Sequence, residues 1–229
     1  MIVFGISTLV WIAVGVGRYV AERGARQRGH GPVGGALSPA DVAIIIAAHN
    51  EAAVIDDAVE CAAVLLPRTN IFVVSDASTD ETAEICRDAG VNVLDLTVNR
   101  GKAGAIVAGL QHFEICRRFE VVMLMDADTR PLPDYLSTGL REFEDPGVVA
   151  VAGYAMSCES PLPPTRMGAF LVRYRQRFYA VLQVLFKYGQ SAKRVNVLSI
   201  VPGFASMYRA SAIADIEIDA PGLIIEDST

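Results

Sequence analysis

The sequence predicts an α/β fold: a mostly parallel, Rossmann-like sheet flanked by helices, preceded by an N-terminal membrane helix. Three observations carry that expectation. Apolar runs of strand length recur at Val42 to Ala48, Ile71 to Ser75, Val91 to Leu96 (interrupted by Asn92 and Asp95) and Val121 to Met125, as expected of strands covered on both faces. Helical patterns lie between them, and strand alternating with helix is the signature of a parallel sheet. Each run ends in polar, turn-forming residues, which places chemistry at one rim of the sheet.

Taken in order, Met1 to Gly17 is uncharged and close to the lower limit of about 17 residues for a membrane-spanning helix. Arg18, Arg23, Arg26 and Arg28 follow it. A signal peptide carries its positive charge before the apolar stretch, so the expectation is an anchor in the cell membrane with the rest of the chain on the cytoplasmic side. The alternative is a buried or interfacial helix, because Gly5, Ser7, Thr8, Gly15 and Gly17 dilute the hydrophobicity. Gly29 to Pro39 reads as a connector, since its glycines and prolines disfavour helix and strand. The expected division is therefore an anchor at 1–20, a basic, Gly/Pro-rich linker at 21–40 and a catalytic domain at 41–229.

Within that domain, Glu51 to Leu66 and Thr79 to Ala89 read as crossover helices. Ser78 or Thr79 would cap the second, and Gly90 would close it. Lys102 to Phe119 carries an apolar stripe through Ala103, Ile106, Val107, Leu110, Phe113 and Ile115. Val148 to Tyr154 and Ser199 to Tyr208 could add strands at the sheet edge or in a second lobe. Arg166 to Gly189 differs from the rest, because its cationic and aromatic residues interleave. Such a helix either lies in a membrane interface or packs on the domain with a solvated basic face.

Composition narrows the function classes. A 52% hydrophobic content in 229 residues is ample for a core. A net charge of -6 and a pI near 5.1 give no general basic field, so nucleic acid is not the expected partner. Cys61, Cys86, Cys116 and Cys158 lack metal or redox spacing, so reduced thiols are expected.

The strand ends hold the chemistry. His49, Asn50 and Glu51 follow the first, Asp76 to Asp80 the second, Asn99 to Lys102 the third, and Asp126 to Asp128 the fourth. At least four carboxylates and a lysine would share one rim, which is costly unless a cation joins them. Asp126 and Asp128, two apart, point to the same side when extended. They could hold Mg2+ or Mn2+, whose other positions take phosphate oxygens; a polar turn is the plainer reading of that triplet alone. Gly101 and Lys102 open a helix whose amides and ammonium suit a diphosphate. Neither a Walker loop nor a GxGxxG fingerprint is present. Asp80 and Glu81 read better as first-turn acids favoured by the helix dipole.

The segments AAHNEA, VVSDASTDET, NRGKAGAIVAGL, MDADT, VPGFASMYR and IIEDST together resemble the family 2 glycosyltransferases of the GT-A fold. The likeness is greatest to membrane-embedded hyaluronan, chitin and poly-N-acetylglucosamine synthases. It implies a nucleotide-sugar donor, usually a uridine diphosphate sugar, a saccharide acceptor and a divalent metal. By that resemblance Ala48, Glu51 and Asp76 would contact the nucleotide, with Lys102 and Asp126 beside it and Asp128 as main metal ligand. Gly203 would border the acceptor channel, Arg209 would close that motif, and Asp227 would be the catalytic base. The QxxRW motif and the further membrane helices of processive members are absent from these 229 residues, so a C-terminally truncated domain is expected. Two alternatives accompany this reading: transfer to a lipid-linked, polyprenyl phosphate acceptor, and a non-catalytic nucleotide-sugar binding module.

Overall fold

The four apolar runs become strands β1 (Val42–Ala48), β2 (Ile71–Asp76), β3 (Asn92–Leu96) and β4 (Val121–Asp126) in the computed structural model. Residues 10–18, 20, 37–153, 165–181 and 205–214 are described. Two short strands, β5 (Ala150–Ala152) and β6 (Ser206–Arg209), complete one six-stranded sheet in the order β3-β2-β1-β4-β6-β5. β1 pairs in parallel with β2 and β4, and β2 with β3. β6 runs antiparallel to β4 and β5.

The connecting helices are α1 (Ile55–Leu65), α2 (Thr82–Asp88), α3 (Gly101–His112), α4 (Ile115–Arg118) and α5 (Tyr135–Glu142), with α6 (Arg166–Val181) and α7 (Ala210–Ala214) later in the chain. Because side chains alternate along a strand, β1 feeds two cores. Val42, Ile44 and Ile46 pack in one cluster with Ile55, Val59, Leu136 and Leu140. Ala43 and Ile45 join the other, with Ile106, Leu110, Ile115 and Ile213. This two-sided burial is why β1 reads as an unbroken apolar run rather than an alternating one.

Several boundaries move from their sequence-based positions for local reasons. The stretch from Lys102 to Phe119 is two helices, because Glu114 sits in the left-handed region at φ 51°. α1 starts at Ile55 rather than Glu51, since the intervening turn is held by the Glu51 and Ala52 amides donating to Thr82 Oγ1 and Asp80 Oδ2. α2 starts at Thr82, and Ser78 accepts a bond from the Asn50 amide instead of capping it. Gly109 lies where α3 crosses the sheet: a Cβ there would come within 2.6 Å of Val74 Cγ2 and 2.7 Å of Ile45 Cδ1.

Residues 1–34 with 154–200 form one compact unit, and residues 35–153 with 201–229 another. In the first, residues 10–18 are helical. Among the described residues no helix is long and apolar enough to cross a membrane; residues 1–9 and 19 of the expected anchor and most of the expected linker lie outside the described set. The basic, aromatic segment is helical over Arg166–Val181.

Candidate functional site

The sheet order dictates where a ligand can sit. From β1 the chain winds outward through β2 to β3, then α3 returns it across to β4 on the other side of β1. Loops leaving β1 and β4 therefore diverge, and a crevice opens at their carboxyl ends. A cleft of about 730 Å³ lies there, lined among others by Ala48, His49, Glu51, Asp76, Asn99, Lys102, Asp126 and Asp128.

Each side chain is placed by a short backbone device. Asn50 leaves β1 in the left-handed region at φ 55°, a conformation asparagine tolerates better than most residues. Its Oδ1 accepts from the Thr79 amide at 2.8 Å, which turns Nδ2 toward His49 Nε2 at 3.1 Å. His49 Nδ1 lies 2.6 Å from the Asp76 carbonyl; a carbonyl only accepts, so this network assigns the ring proton to Nδ1. Asp76, buried at the end of β2, accepts from the Arg100 amide at 2.8 Å. Asn99 Oδ1 accepts from the Gly101 amide at 2.9 Å, and Gly101 opens α3 at φ 69°. That positive φ is accessible to glycine at little cost, and it places Lys102 in the first turn, beside the cleft.

Lys102 Nζ reaches Asp126 Oδ1 at 2.8 Å, both side chains 20% exposed. Asp128 is exposed, two residues beyond. The turn that carries them is closed by the Thr129 amide donating to the Asp126 carbonyl at 3.0 Å. Arg130 ties it to α1, donating to the Ala127 carbonyl at 3.4 Å and the Val54 carbonyl at 3.2 Å. The field in the cleft is negative. Burial, then the charges of Asp128, Asp80 and Asp126, push the Glu51 carboxyl above its ordinary range. Asp80 is lowered instead, chiefly because the Thr82 hydroxyl donates to it. It lies two residues before α2 rather than in the expected first turn, and it braces the loop by also accepting from the Ala52 and Thr82 amides.

Of the residues singled out from sequence, Ala48, Glu51, Asp76, Lys102, Asp126 and Asp128 come together in this one cleft. Arg209 does not. It pairs with Val121 at the opposite end of β4, about 16 Å from Asp126 at 3.3 Å per residue. Its guanidinium donates to the carbonyls of Val148, Phe143 and Asp145 at 2.8, 2.6 and 3.1 Å, bracing the segment before β5. Gly203 and Asp227 lie outside the described residues. Sequence reasoning passed over His49 and Asn99 as site residues; their position at strand ends was the available signal.

A second cluster flanks the entry to β6. The Tyr135 hydroxyl donates to the Ala205 carbonyl, and Ala205 is left-handed at φ 42°. A Cβ on Gly153 would come within 2.6 Å of that carbonyl and 2.9 Å of the hydroxyl. Burial, with the neighbouring Tyr208, pushes the Tyr135 phenol up to about 12.

Comparison with known proteins places this geometry. The glycosyl transferase family 2 model matches residues 43–217. A poly-beta-1,6-N-acetyl-D-glucosamine synthase of Staphylococcus epidermidis is 29% identical over 194 residues, covering 81% of this chain and 43% of that enzyme. The Staphylococcus aureus synthase is 28% identical over 196 residues, so the chain spans less than half the length of these relatives. Among solved structures, a mannosyltransferase from Pyrobaculum calidifontis in complex with GDP-Man and Mn2+ gives a TM-score of 0.42 at 24% identity, covering 66% of this chain and 48% of that one. Glucosyl-3-phosphoglycerate synthase from Mycobacterium tuberculosis, with Mn2+, UDP-Glc and phosphoglyceric acid, gives 0.48 at 15%, covering 80% and 63%.

Proposed function

The chain belongs to glycosyl transferase family 2, and on that premise we propose that it is the donor-binding part of an inverting GT-A enzyme. Its donor is a nucleotide diphosphate sugar, a UDP-linked hexose or N-acetylhexosamine, and its acceptor a saccharide in polysaccharide synthesis. The name of its staphylococcal relatives supports N-acetylglucosamine as the sugar. The observation that carries the reading is the gathering of Glu51, Asp76, Lys102, Asp126 and Asp128 around one cleft at the sheet's switch point.

Glu51 and Asp76, at the ends of β1 and β2, face the nucleoside; His49 and Asn99 fix the rim between them. Lys102 meets the diphosphate from the start of α3, where the helix amides also favour anions. With Asp126 already engaged by Lys102, Asp128 is the carboxylate offered to a divalent cation. Among the described residues no group of three or more His, Cys, Asp or Glu side chains forms a metal cage. The donor set still fits Mg2+ or Mn2+, because such an ion needs one or two carboxylates and completes its octahedron with water and phosphate oxygens. A cation held there neutralises charge on the departing diphosphate.

In the proposed reaction an acceptor hydroxyl oxygen attacks the anomeric carbon and its proton passes to the Asp227 carboxylate. The anomeric bond to the phosphate oxygen breaks, and the nucleoside diphosphate leaves with the electron pair. A single displacement inverts the anomeric configuration. Attachment to the cell membrane through the N-terminal segment, with the domain on the cytoplasmic side, completes the proposal.

Incubation with UDP-N-acetylglucosamine labelled in the sugar tests it. Label in water-soluble oligosaccharide supports the reading; label extracted into chloroform points to the lipid acceptor, and UDP binding without transfer or hydrolysis to a binding module.

A further inference from the structure

Helix α6 turns its apolar side outward. Met167, Phe170, Leu171 and Tyr174 are 67, 62, 56 and 58% exposed, whereas the small residues Gly168 and Ala169, with Val172, are partly buried. At about 100° per residue, Met167, Phe170, Leu171, Tyr174 and Phe178 share one sector about 100° wide. Phe170, Tyr174 and Phe178 stack along it, with centroids 6.3 and 6.2 Å apart. Arg166, Arg173 and Arg177 border that sector on one side and Arg175 on the other. A chain of net charge -6 thus places four arginines and no acid in sixteen residues.

We propose that this face docks on an anionic lipid bilayer, the aromatic stripe entering the headgroup boundary and the flanking arginines meeting lipid phosphates. A contiguous exposed apolar patch, here Met167, Phe170, Leu171 and Tyr174, marks an interaction surface. The arginines select its occupant. A protein partner or a second copy of this chain could cover the rings, but the cationic borders on both flanks match a negatively charged plane. Arginine stems lie along apolar surface while their heads stay at the wet boundary. The inference is independent of the sugar-transfer reading, since it uses none of the cleft residues.

The test places one fluorescent reporter on the face. Tyr174→Trp combined with Trp11→Phe, in the full chain, leaves a single tryptophan at position 174, because Trp11 is the sole native one. Vesicles of phosphatidylglycerol with phosphatidylcholine should shift its emission to the blue, and brominated acyl chains should quench it. Arg173→Gln with Arg177→Gln should lose most of that quenching at the same lipid concentration, as should 0.5 M salt, which shortens the screening length to roughly 4 Å. Attachment through the N-terminal segment alone leaves the reporter in water. An unshifted emission on vesicles that carry the protein overturns the proposal. So does emission already blue-shifted before lipid is added, or equal quenching by neutral vesicles.

Discussion

Replacing Lys102 by methionine keeps the aliphatic stem and removes the ammonium that lies 2.8 Å from Asp126. Both side chains are 20% exposed, so the pair falls between surface pairs worth about 0–1 kcal/mol and buried ones that cost 3–5 when broken. About 2 kcal/mol of folding stability should be lost. The same change withdraws a charge-assisted contact from the diphosphate, again about 2 kcal/mol, or roughly thirtyfold in Kd for UDP. Mn2+ binding should hold or tighten, because Asp126 is no longer neutralised. Urea unfolding and calorimetric titration with UDP, with and without Mn2+, read the two effects separately. If stability falls by the expected amount while UDP affinity stays within about threefold, Lys102 is a structural brace and its assignment to the diphosphate fails.

Other expectations follow from the same geometry. Asp128→Asn should remove the Mn2+ dependence of donor binding, whereas Asp227→Asn should leave donor affinity nearly unchanged and abolish transfer; equal loss of affinity in both would refute that division of roles. Gly109→Leu should destabilise the fold by at least about 1–3 kcal/mol in thermal or urea unfolding, since a Cβ alone already crowds Val74 and Ile45. Tyr135→Phe should cost about 1 kcal/mol by orphaning the Ala205 carbonyl; an unchanged midpoint would show that bond to be idle. Glu51 is raised by burial and by Asp128, Asp80 and Asp126, so in metal-free buffer the folded state holds its proton to higher pH than the unfolded chain does. Stability should then fall as pH rises above the ordinary glutamate value of about 4.3. Glu51→Gln should remove that slope and be the more stable form near neutrality, with the two converging below about pH 4.

β1, β2 and β4 were legible because each is buried on both faces and therefore written largely in apolar residues. β3, at the sheet edge, is only partly buried and carries Asn92 and an exposed Asp95, so its signal was weaker. β5 and β6 were also less legible: each is short, and the Ser206 to Arg209 stretch carries polar residues whose partners are distant in sequence. Helix starts were misjudged where a side chain from another loop overrides local propensity, as Thr82 and Asp80 do at Glu51 and Ala52. Glu114 broke an apolar periodicity that read as continuous, because a left-handed turn leaves no residue-type signal when glycine does not occupy it. The cleft carboxylates were visible at strand ends. Which of them a neighbour would occupy was not, since the Lys102 to Asp126 pair joins two elements through the crossover of α3. Arg209 shows the converse: a charged residue ending a distinctive motif, held by three carbonyls far from the cleft.

Calorimetric titration of the chain with UDP, in the presence and absence of Mn2+, is the most direct test of the donor site. The account predicts saturable binding that tightens with Mn2+ and loses that dependence in Asp128→Asn. Binding indifferent to Mn2+ in the parent chain, or a Mn2+ effect surviving intact in Asp128→Asn, would contradict it.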